Sequence, residues 1–499
     1  MLNTHATNHA LPYLSPMAEK RTAAVIGSGF GGLAAAVRLL KRGYSVDLYE
    51  KLNNLGGRAR VIEHAGIAYD GGPTVITAPS LLAELFALHG EQMSDHIEML
   101  PVEPWYRMMY ADGSKLDMGS DLAALEAQIA AFHPADLKGF RDYLTHCELL
   151  YQKGYVELGD RPFLKLWDML KTAPDLIRLR ADRSVHALVS HYVHDERLIR
   201  ALSVPPLLVG GHPYRTTSIL SLIHPLERRE GVHFARGGTA AIVRALGALI
   251  ERHGGRIHLN TRVAKLHTQA GLVRSIELEN GQQQAVDVVV ANADPATVEQ
   301  RLLSGRAPSP RKAWSMGLLV LYFTTRGRWP GVEHHTILFG EQFKRLLDDI
   351  FDGASLNSDL SLYLHRPSAT DEGICAPDED VFYVLAPVPN LRQKIDWKIQ
   401  GPRVRERVLE ILQERILPGL RERLKSDVYI TPEYFADELE SPFGCGFSLA
   451  PTLTQSAWFR PHNRHPQHSN LYFVGAGTHP GAGVPGVLTS AKVLERLLP

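Results

Sequence analysis

The apolar run Ala23-Ala24-Val25-Ile26 stops at a cluster of glycines, and beyond it Leu33, Val37 and Leu40 recur at helical spacing until Gly43. A short continuous apolar run marks a strand buried on both faces, and the three-and-four spacing marks a helix with one buried face. The pattern predicts a strand, a turn and a helix closed by Gly43 as its C-cap, followed by a second strand over 45–50. From about residue 120 to 225 the period is helical throughout, over 122–132, 137–151, 163–179 and 185–202, until Pro205-Pro206 and Gly210-Gly211 end the block. Strand and helix then alternate: a strand over 232–235, an amphipathic helix over 240–253, a strand over 257–263, a hairpin at Asn280-Gly281 and an apolar run over 286–293. After Pro295 the strands lengthen, over 316–324, 361–364 and 381–385, with helices over 341–351 and 401–424 and a last helix over 487–497.

The first turn reads Gly27-Ser28-Gly29-Phe30-Gly31-Gly32. Gly27 permits the tight turn, Gly29 lets backbone approach a pyrophosphate, and Gly32 lets the helix pack closely on the strand. The helix N-terminus then offers unpaired N–H groups and the positive end of its dipole to phosphate. Glu50, at the end of the next strand, is placed to accept hydrogen bonds from ribose hydroxyls, with Lys51 beside it. These features point to a dinucleotide. Leu55-Gly56-Gly57-Arg58 follows, and it resembles the second fingerprint of the flavoprotein group that holds amine oxidases and carotenoid desaturases. Its guanidinium can neutralise pyrophosphate charge.

Composition narrows the class. With 499 residues, two or three intertwined domains are expected. Lysine plus arginine equals aspartate plus glutamate at 54 each, so no bulk basicity points to nucleic acid. Cys147, Cys375 and Cys445 are scattered and lack metal-ligand spacing, which predicts reduced thiols in a cytoplasmic protein. Residues 1–20 carry no apolar core and are expected to be a flexible lead-in. The most apolar stretch, 316–323, is far short of the roughly 20 residues that span a bilayer. The mixture of bulky apolar residues and lysines over 163–171 fits either an interfacial membrane helix or an amphipathic helix covering the core.

Near the C-terminus an apolar strand runs into Gly475-Ala476-Gly477-Thr478-His479-Pro480-Gly481-Ala482-Gly483-Val484-Pro485-Gly486, five glycines in a dozen residues. Ordering so much glycine is entropically costly, which points to a close approach of backbone to a ligand. This segment resembles the signature of the bacterial-type phytoene desaturases, carotenoid dehydrogenases with an amine-oxidase-like flavin fold. The likeness continues through Asp70-Gly71-Gly72-Pro73-Thr74, Leu207-Leu208-Val209-Gly210-Gly211, Arg236-Gly237-Gly238-Thr239, Tyr383 to Pro389 and Leu453 to Asn463.

The resemblance implies an α/β fold: a Rossmann-like FAD-binding domain, a mixed-sheet substrate domain and a helical membrane-associating insert. It divides the chain into FAD-binding segments over 21–119, 226–298 and 465–499, the insert over 120–225 and the substrate domain over 299–464. It implies FAD as cofactor, held by Gly27, Gly29, Phe30, Gly31, Gly32, Glu50, Lys51, Gly57, Arg58, Val263, Gly475, Gly477, Thr478, Gly483 and Val484. It further implies a lipophilic carotenoid substrate, a peripheral position on the inner membrane, and oxygen or a quinone as electron acceptor. Phytoene offers no polar group to grip, so recognition must come from shape and apolar burial, worth about 25 cal/mol per Å². The implied reaction takes a hydride from an allylic carbon to the flavin and a proton from its neighbour.

No catalytic base is assigned from sequence. His224, Glu227 and His479 are the candidates, against ordinary structural roles for the histidines and a surface ion pair for Glu227 beside Arg228 and Arg229. No serine or cysteine stands in a nucleophile-elbow context. No metal site is expected either: His334 and His335 are adjacent, so on a strand they point apart, and no carboxylate stands at ligand spacing.

Overall fold

A computed structural model of the chain describes residues 20–303, 305, 307–353 and 356–499. Residues 1–19 of the expected lead-in lie outside the described residues.

Five parallel strands form the first sheet, in the order Leu471–Phe473, Val288–Ala291, Thr22–Ile26, Ser45–Tyr49 and Arg256–His258. Their pairing aligns Ile26 with Tyr49 and Ala291, and Ala291 with Phe473. Four strands drawn from both ends of the chain therefore finish at one edge, and Gly27, Glu50, Asn292 and Val474 follow there. In an open parallel sheet this carboxyl edge is where ligands bind. The helices Phe30–Lys41, Thr239–Arg252 and Val484–Leu497 cover one face, and Leu33, Val37, Leu246, Ile250, Leu488 and Leu494 share one buried core with the sheet.

The second sheet has seven strands, in the order Leu424–Ile430, Gly317–Arg326, Glu379–Val388, Leu362–His365, His335–Leu338, Tyr106–Met109 and Lys115–Met118. Its two ten-residue strands, Gly317–Arg326 and Glu379–Val388, are buried almost end to end, which explains their long apolar runs.

Three elements differ from the sequence reading. The helix expected over 185–202 is two, Val185–Tyr192 and Glu196–Leu202, because the Asp195 carboxylate accepts from the amides of Arg197 and Leu198 and starts a new helix. The strand expected over 257–263 divides between Arg256–His258 in the first sheet and Val263–Gln269 in a small three-stranded sheet, across Asn260 at φ 51. The helix expected over 401–424 ends at Arg415, and Leu424–Ile430 is an edge strand of the second sheet. The helix expected over 163–179 is present as Leu166–Arg178.

Candidate active site

At the carboxyl edge of the first sheet the two glycine-rich turns lock together. The Glu50 side chain is buried, and its Oε2 accepts from the Ser28 amide at 2.9 Å and the Ser28 hydroxyl at 2.6 Å. Ser28 in turn accepts from the Gly56 amide, at 3.2 Å to its carbonyl and 3.1 Å to its hydroxyl. Glu50 therefore fixes the shape of the first turn as well as facing the cavity, and Ser28, absent from the sequence expectation, links all three segments.

The glycines have unequal reasons. Gly27 has φ +93, a backbone conformation that side chains rarely adopt. A Cβ on Gly32 would lie 2.0 Å from the Gly27 carbonyl oxygen, and one on Gly31 would lie 2.9 Å from the Gly475 amide. Gly31 and Gly32 serve packing and do not face the cavity, whereas Gly27, Gly29, Phe30 and Gly57 line it. The centre of this packing is Asn292, whose side chain approaches Gly27, Gly29, Gly31 and Gly475 closely enough that a Cβ on any of the last three would meet it within 2.7 Å. Its position directly after the apolar strand Val288–Ala291 is the one signal that could have marked it.

Arg58 is set in the cavity wall and reaches Ser441. Its Nε is a buried donor without a partner, and among the described residues no carboxylate pairs with the guanidinium. Burial lowers its pKa, with Asp294 opposing that shift. Lys51 is already paired, 3.1 Å from Glu440, which also holds Arg262 and Arg301. Val263 lines the cavity at the start of its strand.

The C-terminal loop meets the cavity with some of its residues and turns others away. Gly475, Gly483 and Val484 line the cavity, and the Gly475 amide donates to Ser490 Oγ at 2.8 Å. Gly477 and Thr478 do not. A Cβ on Gly477 would strike Pro295 at 2.5 Å, and the Thr478 hydroxyl is spent on the Pro461 carbonyl at 2.6 Å. The loop turns those two residues away from the ligand side. Behind them the buried Arg460 donates to the carbonyls of Leu449, Gln455, Ala476 and Thr478 at 2.7–3.3 Å.

One cavity of about 690 Å³ runs from these turns into the second sheet. Its near end carries Gly27, Glu50, Arg58 and Val263; its far end is apolar, with Leu208, Leu222, Leu318, Ile337, Phe339 and Leu385 among its walls. Tyr363 and Tyr383 line it as well, and the Tyr363 hydroxyl is 2.6 Å from Thr74 Oγ1.

Of the three candidate bases only Glu227 reaches this cavity. It is not a surface ion-pair residue: it is 3% exposed and accepts from the Tyr106 hydroxyl at 2.7 Å. Arg229 turns away to Glu148 at 2.5 Å, and Arg228 stacks over Trp105. Burial pushes the Glu227 carboxyl up to about 7, against the opposing effect of the Tyr106 hydrogen bond. His224 is buried with Nε2 3.1 Å from the Leu202 carbonyl, and burial lowers its pKa to about 4. His479 sits edge-on to Phe163 outside the cavity wall, held neutral by burial with its pKa lowered to about 3. Asp70, at the turn that enters the cavity, is raised to about 6 by burial although the amides of Thr239 and Ala240 oppose this.

The adjacency argument against a paired role for His334 and His335 fails on geometry. His334 precedes the strand His335–Leu338 at a bend, and the two rings lie 4.5 Å apart between centroids.

Residues 30–493 match the family of flavin containing amine oxidoreductases. A phytoene desaturase (lycopene-forming) of Paracoccus sp. is 47% identical over 486 residues, covering 96% of this chain and 97% of the relative. A phytoene desaturase (neurosporene-forming) of Cereibacter sphaeroides is 42% identical, covering 98% of this chain and 96% of the relative. An oxidoreductase from Methanosarcina mazei shares the fold with a TM-score of 0.62 at 18% identity, covering 95% of this chain and 100% of that one.

Proposed function

Because the chain belongs to the flavin containing amine oxidoreductases, and within them to the phytoene desaturases, we propose that its substrate is phytoene and that it removes hydrogen pairs from it in successive steps towards neurosporene or lycopene. The enzyme is an oxidoreductase acting on CH–CH bonds, and its cofactor is FAD. The carrying observation is the continuity of one cavity from the glycine turns to a wall of aliphatic and aromatic side chains. A hydrocarbon chain has no group for a polar site to hold, and this far wall removes it from water without asking for one.

The residues fit FAD. The lone Arg58 guanidinium with its unpartnered Nε calls for an anion beside it, and the uncapped N-terminus of the helix Phe30–Lys41 faces the same space. Gly27, Gly29, Phe30 and Gly57 would receive the pyrophosphate, Glu50 the ribose, and Val263 the adenine side. Gly475, Gly483 and Val484 would line the flavin end. FAD supplies the two-electron acceptor chemistry when bound. Near neutral pH part of the Glu227 population is ionised, and that carboxylate would accept the proton from the substrate carbon and then release it to water as the site turns over. Its pKa of about 7 suits a base that must also discharge. Tyr106 orients it.

We further propose that the substrate arrives from a membrane surface. On the helix Leu166–Arg178, Leu166, Trp167, Leu170 and Ile177 are 46–62% exposed along one side, and the turn Ala457–Phe459 beside it exposes Phe459. Lys165, Lys171 and Arg178 flank this strip, the pattern of a helix lying in the interface plane. No helix among the described residues is long and apolar enough to cross a membrane. Oxygen or a membrane quinone then takes up the electrons.

Expression in a colourless host that makes phytoene tests the reading. Yellow to red pigment is expected; unchanged phytoene beside soluble, flavin-bound protein sinks it.

A further inference from the structure

Away from the glycine turns, the second sheet holds three histidines in a single buried cluster. His334 is 3% exposed, His335 0% and His365 1%. His335 and His365 are directly opposed on neighbouring antiparallel strands, and the bend before His335 folds the His334 ring back onto the pair. Ring centroids lie 4.5–5.3 Å apart, and one ring nitrogen from each histidine falls within 4.8 Å of the others.

The hydrogen bonds around this cluster are one-sided. His334 Nδ1 is 2.6 Å from Thr370 Oγ1, and His335 Nδ1 is 2.8 Å from the Tyr363 hydroxyl. The Nε2 atoms of both, and both nitrogens of His365, are buried without any partner. Buried polar atoms are normally hydrogen-bonded, so four unpaired ring nitrogens in one place require an explanation.

The arrangement is that of metal ligation. A ligating histidine anchors one ring nitrogen through an outer hydrogen bond and turns the other, unprotonated, to the ion. Thr370 and Tyr363 supply such outer bonds, with the proton on Nδ1 donated to each hydroxyl oxygen. Ligand nitrogens about 2.0–2.1 Å from a common ion lie roughly 3.3–3.6 Å from one another, so small ring rotations close the present cluster. We infer that His334, His335 and His365 form a site for one d10 transition-metal ion, Cu⁺ or Zn²⁺, through three neutral imidazoles. Imidazole suits these ions, and both accept three- or four-coordinate geometry without a preference of their own. Calcium and magnesium do not suit an all-imidazole donor set, and the buried Asp380 carboxylate is held by Arg366, Ser368 and the Trp329 amide.

The site stands independently of the redox reading, since its ion would be fixed in the cavity wall rather than in the cavity. Tyr363 joins the two: it receives His335 on one side and Thr74 on the other, and it lines the cavity. The ion would thus fasten the strands that shape the substrate wall.

The test uses the full chain carrying no polyhistidine tag, produced in medium supplemented with zinc or with copper. Elemental analysis of the gel-filtered protein should give about one ion per chain, and the supplement that achieves this identifies the metal. His365→Gln and His335→Gln should lower that content at least about fivefold while His212→Gln, a buried histidine elsewhere, leaves it unchanged. Less than about a tenth of an equivalent under both supplements, or equal content in the cluster variants and the wild type, overturns the site. Should the variants fail to fold, the wild type decides alone: its melting temperature must fall on chelation and recover when Zn²⁺ or Cu⁺ is restored, and an unmoved melting temperature rejects the inference.

Discussion

The Tyr106 hydroxyl donates to Glu227 Oε1 at 2.7 Å, and through Glu227 the pair reaches the wall of the cavity. A carboxyl so placed resists ionisation, yet the hydrogen bond favours its charged form. Glu227→Gln should lower turnover by about 100-fold or more while FAD binding persists. In the wild type, the rate should rise with pH through a limb near 7. Tyr106→Phe should move that limb upward, because one stabiliser of the carboxylate is gone. Rate against pH for the three proteins checks this.

The same group makes a stability prediction of definite sign. Its folded pKa of about 7 lies above the ordinary glutamate value, so its contribution is fully present below that ordinary value and is lost as pH rises through 7. The wild type should therefore lose up to ~3 kcal/mol between pH 5 and pH 9 from this residue, and Glu227→Gln should not. Denaturant midpoints across that range measure the difference.

Glu50 accepts from both the amide and the hydroxyl of Ser28, so its loss disturbs the turn as well as the proposed ribose contact. Glu50→Ala should weaken FAD binding by more than tenfold and cost ~1–3 kcal/mol of stability from the orphaned donors. Ser28→Ala should weaken it less, since Glu50 keeps the amide. Quenching of flavin fluorescence on titration gives both affinities.

Gly32→Ala places a methyl group 2.0 Å from a carbonyl oxygen that belongs to the turn itself, and the helix must move to admit it. The variant should retain little or no flavin. Gly331→Ala meets nothing within 4 Å and should behave as wild type. Flavin absorbance of the two purified proteins compares them.

Trp167→Glu and Leu170→Glu put charge on the exposed strip of the helix Leu166–Arg178. Both should cut co-sedimentation with anionic vesicles several-fold while leaving FAD content unchanged. Undiminished co-sedimentation would place the docking surface elsewhere.

Some of these residues were legible from sequence because covalent geometry demands them. Gly27 needs its positive φ, Gly475 needs φ +94 beside Asn292, and Glu50 must follow a strand that stops level with Ile26. Polar residues were harder. Ser28, Asn292 and Arg460 could each have served a surface loop, and only the meeting of segments hundreds of residues apart gives them their roles. Thr478 is a different case: a hydroxyl in a glycine-rich loop suggests a ligand contact, whereas here it donates to the Pro461 carbonyl 17 positions earlier. Glu227 was hidden by its charged neighbours, Arg228 and Arg229, which point away. His334 and His335 escape strand alternation because His334 stands at a bend, one residue before the strand begins.

Four main-chain oxygens converge on Arg460, and none of them belongs to a ligand. Two of them, from Ala476 and Thr478, lie in the glycine-rich C-terminal loop, and the others, from Leu449 and Gln455, tie it through the same guanidinium to a distant segment. Contacts within the chain itself thus restrain the start of that loop, and restraint of this kind lowers the ordering cost of any ligand contact the loop makes. Arg460→Lys, which keeps the charge but cannot span the same carbonyls, should therefore slow FAD capture more than it hastens FAD release.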